Sequence, residues 1–486
     1  MAVSRPHVLL ITTDHWPGSL LGIAGHPRIQ TPTLDQLARN GVRFPRAYSE
    51  TPVCIPARRT LMTGCPPRIH GDRVFASEMP MPDLPTLAST FRGAGYQAHA
   101  VGKLHVYPQR DRIGFDDVIL AEEGRLQYGV VDDYEQHLTQ CGFAGQQFLH
   151  GMSNNEYSNR PWHLPEECHV TNWTTREMVR QIKRRDPTLP GFWYLSYCHP
   201  HPPLVPLRDY LDMYRERPVE TPSMGKWAED LEALPHYLRV RRDVGELMTD
   251  QEVRSARRAF YAMCTHIDHQ LRVVIGTLRE ENLLDDTIIL FTSDHGDMLG
   301  KHGLWAKRLF LEESAQVPMI LVATAAQARG EVGANRIDNR LVGWQDVMPT
   351  LLDLAGVDAP ESVEGLSMVG EQKRATLFGE IGDGQNASRM LHDGRYKLIY
   401  YSVGNRFQLF DLEDDPEELF DLSASVAHEE HLQRLQQHLK SELYGEDESW
   451  VNASGEFVGL EDIPHAEPAG PYNRGLTGQR GIHYPQ

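Results

Sequence analysis

Short apolar runs that alternate with helix-type segments constrain the fold of this chain more than any other feature. Most of these runs are rich in β-branched or aromatic side chains, as expected of a buried parallel strand. The runs fall at 8–13, 97–101, 192–197 and 287–292, with a further strand at 318–322. Helix-type segments lie at 31–41, 87–95, 174–185, 250–281 and 346–355. This alternation predicts an α/β fold whose large, mixed but mostly parallel sheet is doubly wound, with helices on its flanks.

Polar and ionisable residues directly follow four of these strands. They are Asp14 and His15, Lys103 and His105, His199 and His201, and Asp294 and His295. Open α/β sheets bind their ligands at the C-terminal edge of the strands. One such histidine could be a structural turn residue, but four groups at the same edge favour a functional site.

The segment 54–64, Cys-Ile-Pro-Ala-Arg-Arg-Thr-Leu-Met-Thr-Gly, predicts a loop that runs into a helix. Pro56 suits the first helical turn, where its missing N–H costs nothing, and Gly64 suits the helix end. Cys54 is expected just before the helix N-terminus, whose free N–H groups and positive dipole end favour a thiolate or a bound anion. Taken alone, Cys54 could equally be a structural cysteine at a turn.

The carboxylates at the predicted sheet edge have the chemistry of a metal site. Asp14 and Asp294 together with His295, and His15 as a further candidate, suit a divalent cation. Oxygen ligands alone favour Ca²⁺ or Mg²⁺, and an imidazole shifts the preference towards Mn²⁺. The identity of the metal therefore stays open between these ions.

Four further side chains could serve an anionic substrate. Lys103 and Lys307 could supply positive charge to an oxyanion, and His105 and His201 could act as general acid and base. Lys307 could instead be a solvated surface lysine, but it follows closely after Asp294. We therefore favour a role for it in the site.

Charge and composition exclude several classes of protein. The formal net charge of −19 argues against general nucleic-acid binding, because phosphate backbones need basic patches. No apolar run reaches membrane-spanning length, and residues 1–5 lack the pattern of a secretory signal, so we expect a cytoplasmic protein without a membrane partner. The six cysteines lack C-x-x-C spacing, so neither a disulfide framework nor a zinc site is predicted.

Three regions are expected along the chain. Residues 1–370 form the catalytic α/β domain, in which 106–165 and 204–250 are irregular insertions that supply the pocket walls. Residues 371–449 form a smaller antiparallel α+β subdomain. Its hairpin-like strands and amphipathic helix are expected at 395–401, 407–412 and 429–443. Residues 450–486 are expected to form an irregular tail at the interface of a homo-oligomer.

These motifs resemble those of the sulfatase family of the alkaline-phosphatase superfamily, and the resemblance covers most of the chain. Residues 54–58 are similar to the C-x-P-x-R signature, which Leu-Met-Thr-Gly continues at 61–64. Other similar segments are Gly-Lys-Leu-His at 102–105, Pro-His-Pro at 200–202, Ser-Asp-His-Gly-Asp at 293–297, His302-Gly303 with Lys307, and the late segments 345–352 and 409–416. Together and in this order, the motifs are highly specific.

The resemblance implies an alkaline-phosphatase-like fold and the hydrolysis of a small aryl or alkyl sulfate ester. It implies that a formylglycine-generating enzyme converts Cys54 to formylglycine. The hydrate of formylglycine is a gem-diol, and one of its hydroxyl groups would attack the sulfur of the substrate beside one divalent ion, Ca²⁺ or Mn²⁺. The implied ligands of this ion are Asp14, Asp294, His295 and the modified Cys54.

The same resemblance implies the remaining roles in the reaction. Arg58 would orient the formylglycine, and Lys103 and Lys307 would stabilise the non-bridging oxygens. His201 would protonate the leaving group, and His105 would take the proton whose loss expels sulfate.

Three residues depart from the commonest sulfatase pattern. Ala57 stands where many members have Ser, His15 where many have a second Asp, and His295 where Asn is frequent. The C-x-P-A-R form with one leading Asp is similar to phosphonate monoester hydrolases, whereas the segment 102–105 favours sulfatases. The alternatives are therefore a phosphonate monoester or phosphodiester hydrolase with the same site, or a catalytically silent metal-binding homologue that keeps Cys54 as a thiol.

Overall fold

The computed structural model describes residues 5–124, 130–152, 154–242, 248–329 and 332–464. No helix in these ranges is both long and apolar enough to span a bilayer. The strands are β1 His7–Thr13, β2 Val42–Arg43, β3 Ala47–Tyr48, β4 Gln97–Gly102, β5 Asp117–Leu120, β6 Gly191–Ser196, β7 Thr287–Ser293, β8 Met319–Val322, β9 Arg336–Ile337, β10 Val342–Gly343, β11 Leu377–Ile381, β12 Ser388–His392, β13 Tyr396–Tyr401 and β14 Arg406–Asp411. The helices are α1 Pro32–Asn40, α2 Cys54–Thr63, α3 Pro67–His70, α4 Leu87–Gly93, α5 Asp133–Gln140, α6 Val170–Lys183, α7 Arg208–Met213, α8 His236–Arg242, α9 Asp250–Glu280, α10 Glu312–Ala315, α11 Val347–Ala355 and α12 Glu429–Glu442.

The main sheet confirms the predicted fold class. Its strand order is β5-β4-β6-β1-β7-β8-β2-β9. Strand β1 lies parallel to β6 and β7, and β4 lies parallel to both β5 and β6. Strand β8 runs antiparallel to β7 and β2, which makes the sheet mixed. The parallel centre therefore brings the C-terminal ends of β4, β6, β1 and β7 to one edge.

Strand β1 is buried on both faces because its side chains alternate between two hydrophobic cores. Val8 and Leu10 pack on the face covered by α2, α4 and α11, while Leu9 and Ile11 pack on the face covered by α1, α6 and α9. Burying one such side chain contributes about 1.5–3 kcal/mol. A strand buried on both faces therefore reads as a continuous apolar run in the sequence.

A second sheet, the antiparallel meander β11-β12-β13-β14, follows the main one. Helix α12 packs on one face through Leu435 and Leu439. Ile399 and Phe410 on the other face join a cluster with Tyr48 and neighbouring apolar residues. The smaller antiparallel α+β unit that the sequence predicts is therefore present, and its inner face packs against the first part of the chain.

The prediction that 106–165 and 204–250 are irregular was wrong in part. Strand β5 and helix α5 lie in the first insertion, and α7 and α8 lie in the second. Strands β11 and β12 were also not predicted. Strand β5 has only four residues and begins at exposed Asp117, so it lacks the long apolar run that identifies the central strands.

Helix α2 begins one residue earlier than predicted. Cys54 is its first residue and Val53 is the N-cap, so the cysteine lies inside the first turn instead of before it. Gly64 ends the helix in the left-handed conformation, with φ 66°, and its N–H donates to the carbonyl of Thr60 at 2.9 Å. A proline can occupy any position of the first turn, so Pro56 does not fix the first residue.

The tail is described only up to residue 464, and 465–486 lie outside the described residues. Leu460 pairs with Val403 next to the second sheet, and the carbonyl of Ile463 accepts a hydrogen bond from Arg239. The first part of the tail thus lies against its own chain. Its place at an oligomer interface stays a prediction.

Candidate active site

The C-terminal edge of the main sheet brings the polar strand ends together. Asp14 and His15 follow β1, Lys103 follows β4, and Asp294 and His295 follow β7. The parallel register of β1 and β7 places Thr13 opposite Ser293. The carboxylates that follow them, Asp14 and Asp294, are therefore neighbours although they lie far apart in sequence. The N-terminus of α2 delivers Cys54 to the same point.

The Cys54 thiol lies at the centre of this cluster and is completely buried. Its Sγ is 3.3 Å from His295 Nε2 and 3.6 Å from Asp14 Oδ1. Burial and Asp14 raise the pKa of the thiol, but Lys103, Lys307 and His295 outweigh them and lower it below its ordinary value. The surroundings of Cys54 therefore favour an anionic group at this position.

Two buried carboxylates face each other beside Cys54. Burial and the neighbouring Asp14 raise the pKa of Asp294. Burial also opposes ionisation of Asp14, but Lys103 and nearby histidines hold its pKa well below the ordinary value. A cation between these oxygens would relieve the mutual repulsion of the two carboxylates.

Arg58 fixes the orientation of both carboxylates. Its Nε donates to Asp294 Oδ2 at 3.2 Å, and one terminal nitrogen lies 3.7 Å from Asp14 Oδ2. The other terminal nitrogen donates to the Lys103 carbonyl at 2.9 Å and to Ser196 Oγ at 2.8 Å. One guanidinium thus joins the ends of β1, β4, β6 and β7.

His295 presents its Nε2 atom to the cluster. Its Nδ1 donates to the carbonyl of Gly296 at 2.9 Å, which leaves the Nε2 lone pair free to bind a metal. Nε2 lies 3.5 Å from Asp14 Oδ1 and 3.6 Å from Asp294 Oδ1. These atoms and the Cys54 sulfur all lie within 4.8 Å of one another. Two carboxylates, one imidazole and a sulfur or oxygen at position 54 therefore fit one divalent ion.

Lys307 organises a second group of side chains next to the cysteine. Its Nζ donates to His15 Nε2 and, at 3.1 Å, to His201 Nε2. His15 Nδ1 donates to Asp297 Oδ2 at 2.6 Å, and that carboxylate also accepts a hydrogen bond from Tyr157. Lys307 is thus held inside the site and is not a solvated surface lysine.

Both histidines of this group are held neutral. Burial followed by Lys307 lowers the pKa of His15 well below its ordinary value. Burial lowers the pKa of His201 to about 3, against a weaker upward effect of Glu123. His201 Nδ1 donates to the Pro202 carbonyl at 2.5 Å, so Nε2 is the atom that faces Lys307 and the site.

Lys103 and His105 occupy the loop after β4. Lys103 is completely buried, and its Nζ contacts Asp14 and lies 2.6 Å from Glu123 Oε1. The backbone N–H of His105 donates to Glu122 at 2.8 Å, and its buried ring lies beside Phe75 with the centroids 5.7 Å apart. Lys103 therefore belongs to the Cys54 cluster through Asp14.

Sequence reasoning missed three members of the site: Glu123, Tyr157 and Asp297. Glu123 and Tyr157 come from the insertion that was expected to be irregular and carried no periodic pattern. Asp297 lies inside the motif at 293–297, so its position was visible in the sequence, but its contact with His15 was not. His199, by contrast, turns away from Cys54 and lies beside His169 and Thr171.

A cavity adjoins His201 on the side of this insertion. Aromatic side chains form much of its wall, together with the Glu123 carboxylate and two prolines that follow the histidine. The aromatic members are Tyr134, Phe148 and Trp162. The cavity therefore offers apolar faces and one carboxylate beside the His201 ring, with Glu123 Oε1 3.8 Å from His201 Nδ1.

Comparison with known proteins gives concordant results. The family model described as Sulfatase matches residues 6–357, and the model described as N-sulphoglucosamine sulphohydrolase, C-terminal, matches residues 300–447. An arylsulfatase of Clostridium perfringens is 33% identical over 470 residues, which cover 93% of this chain and 97% of the relative. A choline-sulfatase of Rhizobium meliloti is 30% identical over 439 residues, covering 87% and 83%.

A similar solved structure supports the same fold. The phosphonate monoester hydrolase of Agrobacterium radiobacter superposes with a TM-score of 0.79 and 24% identity. The superposition covers 93% of this chain and 99% of the other. At this identity the likeness concerns the architecture of the two proteins.

Proposed function

The chain belongs to the sulfatase family and is a sulfuric ester hydrolase, and on that premise we propose that it cleaves a small sulfate monoester with a formylglycine made from Cys54 and one divalent metal ion. The observation that carries this proposal is the position of Cys54. It starts a helix with C-x-P-x-R spacing, and its sulfur contacts Asp14 and His295. A structural cysteine would not require two carboxylates and two lysines around it.

Asp14, Asp294 and His295 would hold the metal ion, with position 54 as a further ligand. The ion, Ca²⁺ or Mn²⁺, would supply Lewis acidity, and formylglycine would supply a hydroxyl nucleophile. Arg58 holds the outer oxygen of Asp294 and approaches that of Asp14, so the oxygens that face Cys54 keep their orientation.

The lysines and histidines would bind the sulfate group and move protons. Lys103 and Lys307 would neutralise the non-bridging oxygens, where negative charge grows in the transition state. His201 would act as the acid for the leaving oxygen. Because its Nδ1 proton is held by the Pro202 carbonyl, its Nε2 would first take up a proton from Lys307 and then pass it on. His105 would act as the base that completes turnover.

The cavity beside His201 supports a compact leaving group with an aromatic or cationic face. Aromatic side chains stack on aryl groups and also attract quaternary ammonium ions, and Glu123 adds a negative charge. Aryl sulfates and choline sulfate, the kinds of ester that the names of the relatives suggest, both suit such a wall. We propose these two classes as the first substrates to test.

Kinetic comparison separates the sulfatase proposal from its alternative. Protein co-expressed with a formylglycine-generating enzyme should turn over 4-nitrophenyl sulfate with a higher kcat/KM than 4-nitrophenyl phenylphosphonate. A higher value for the phosphonate would instead support the phosphonate monoester hydrolase, which the single leading Asp14 and the C-x-P-A-R form favour. Cys54→Ala is the control for contaminating activity. A fully converted, metal-loaded protein that cleaves neither ester would support the catalytically silent homologue.

A further inference from the structure

A second cluster of metal-ligating side chains lies outside the Cys54 site. Helix α5 carries His137 and Cys141, which are four positions apart and therefore on one face of the helix. Cys168 belongs to the short 3-10 turn Glu166–Cys168 and reaches the same point from the other side. The ligand atoms of the three residues all lie within 4.8 Å of one another.

The spacing of these atoms fits a tetrahedral ion. Zn–S and Zn–N bonds of ordinary length place a sulfur and a nitrogen ligand about 3.6 Å apart. Cys141 Sγ lies 3.6 Å from His137 Nε2 and 3.9 Å from Nδ1, so the sulfur is close enough, and a rotation of the imidazole ring would turn one nitrogen lone pair towards the ion. Two thiolates would balance the charge of a divalent ion, and thiolate with imidazole is the donor set that Zn²⁺ prefers.

We propose that His137, Cys141 and Cys168 bind a thiophilic transition-metal ion, Zn²⁺ in the first instance, separate from the ion of the catalytic centre. Three protein ligands leave the fourth position to water. Cys141 is exposed and gives the ion a route from solvent, while Cys168 is buried and fixes the inner side of the site.

The frame of this site exists before an ion binds. The Tyr134 hydroxyl on α5 donates to the Cys168 carbonyl at 2.7 Å, which joins the helix to the turn. The Asp132 side chain caps the start of α5 by accepting from the Glu135 N–H at 2.8 Å. A bound ion would therefore stabilise a contact between helix α5 and the turn that already exists. The same helix also supplies Tyr134 to the cavity beside His201.

Arg176 competes with the ion for His137. One of its terminal nitrogens donates to His137 Nε2 at 3.1 Å, so this nitrogen must release the guanidinium before it can bind metal. The Arg176 side chain is one-third exposed and can swing into solvent. Arg176→Met should therefore tighten zinc binding, by about tenfold if one charged hydrogen bond worth about 1.4 kcal/mol is removed.

The usual sequence signal for zinc is absent because the ligands follow a different pattern. His137 and Cys141 have the i, i+4 spacing of one helix face, and the third ligand lies in another element. No pair has C-x-x-C spacing, so the cysteines suggest no site before the chain is folded.

Cobalt substitution in the Cys54→Ala protein tests the proposal. This background removes the thiol of the catalytic centre, so that a thiolate-to-cobalt absorption band reports other cysteines. Apoprotein titrated with Co²⁺, and with Zn²⁺ in competition, should show one such site. Adding Cys141→Ser or Cys168→Ser should reduce the intensity of the band and weaken zinc binding by more than the 10–100-fold that loss of an outer partner costs, and both changes together should abolish the band. Cys65→Ser, at another buried cysteine, should leave both unchanged.

Three outcomes would overturn the proposal. They are the absence of a thiolate band, a band whose intensity is unchanged by Cys141→Ser, and a disulfide between Cys141 and Cys168 in protein purified without reductant. Because Cys141 is exposed, its serine variant is expected to fold, and circular dichroism would verify that. None of these measurements depends on sulfatase activity, so failure here leaves the proposed function untouched.

Discussion

Replacing Asp297 with Asn tests how the site positions Lys307. Asp297 accepts a hydrogen bond from His15 Nδ1 at 2.6 Å, and this bond leaves the His15 Nε2 lone pair free to accept from Lys307. The other carboxylate oxygen accepts from the backbone N–H groups of Leu299 and Ala306, at 3.0 and 3.2 Å. An Asn oxygen would keep those two bonds, so its NH₂ group would face His15 Nδ1.

The substituted amide forces His15 into the wrong tautomer. An NH₂ group can only donate, so the His15 Nδ1 atom that it faces must carry the lone pair. The ring proton then lies on Nε2, where it faces the donating Nζ of Lys307, and the hydrogen bond between Nε2 and Nζ is lost. Hydrogen bonds to charged groups contribute about 1.5–3 kcal/mol. If the transition state loses that amount through a displaced Lys307, kcat/KM falls roughly 10- to 150-fold.

Steady-state kinetics with 4-nitrophenyl sulfate measures the effect, with metal content and formylglycine content matched to the wild type. Tyr157→Phe is the control, because it removes the second side-chain donor to Asp297 and leaves the carboxylate and the His15 tautomer unchanged. Its kcat/KM should stay within about threefold of wild type. If Asp297→Asn also stays within about threefold, the tautomer argument is refuted.

Three further predictions concern stability and the metal. Lys397 is completely buried, and its Nζ lies 2.5 Å from Glu312 and 2.7 Å from Glu418. Lys397→Met should lower the free energy of unfolding in urea by about 3–5 kcal/mol, because two buried carboxylates lose their partner. A decrease below about 1 kcal/mol would contradict this. Burial lowers the pKa of His70 to about 3, below its unfolded value, so the unfolded state binds more protons and stability falls as the pH drops below about 6.5. Between pH 6.5 and 5 this group should account for about 1.6 kcal/mol, and His70→Gln should reduce the pH difference in unfolding free energy by that amount; an unchanged difference would exclude the assignment. Chelation should abolish activity and lower the unfolding temperature, and Ca²⁺ or Mn²⁺ should restore both; full activity of metal-free protein would rule out the metal role.

The sheet and its functional edge could be predicted because buried strands leave a continuous apolar signal. The central strands of the main sheet are apolar over most of their length, and ionisable residues follow their C-terminal ends. Parallel pairing then brings those ends together, as the pairing of Thr13 with Ser293 does for the two aspartates that follow. The candidate site was thus visible without knowledge of any contact.

The supporting residues could not be predicted because they depend on tertiary contacts. His15 and Asp297 are 282 positions apart, and their contact decides which nitrogen of His15 faces Lys307. Tyr157 and Glu123 come from an insertion without periodicity. The contacts of His15, the further candidate for a metal ligand, could not be predicted either. Its Nδ1 donates to Asp297, and its Nε2 accepts from Lys307.

The central claim is that Cys54 is the precursor of the nucleophile, and the mass of one peptide tests it most directly. Trypsin should release residues 47–58 of protein made with a formylglycine-generating enzyme, because Arg46 and Arg58 flank this segment. Conversion of Cys54 predicts a peptide lighter than the unmodified one by about 18 Da. A peptide that retains the full thiol mass, from cells in which a known substrate of the same enzyme is converted, would contradict the claim.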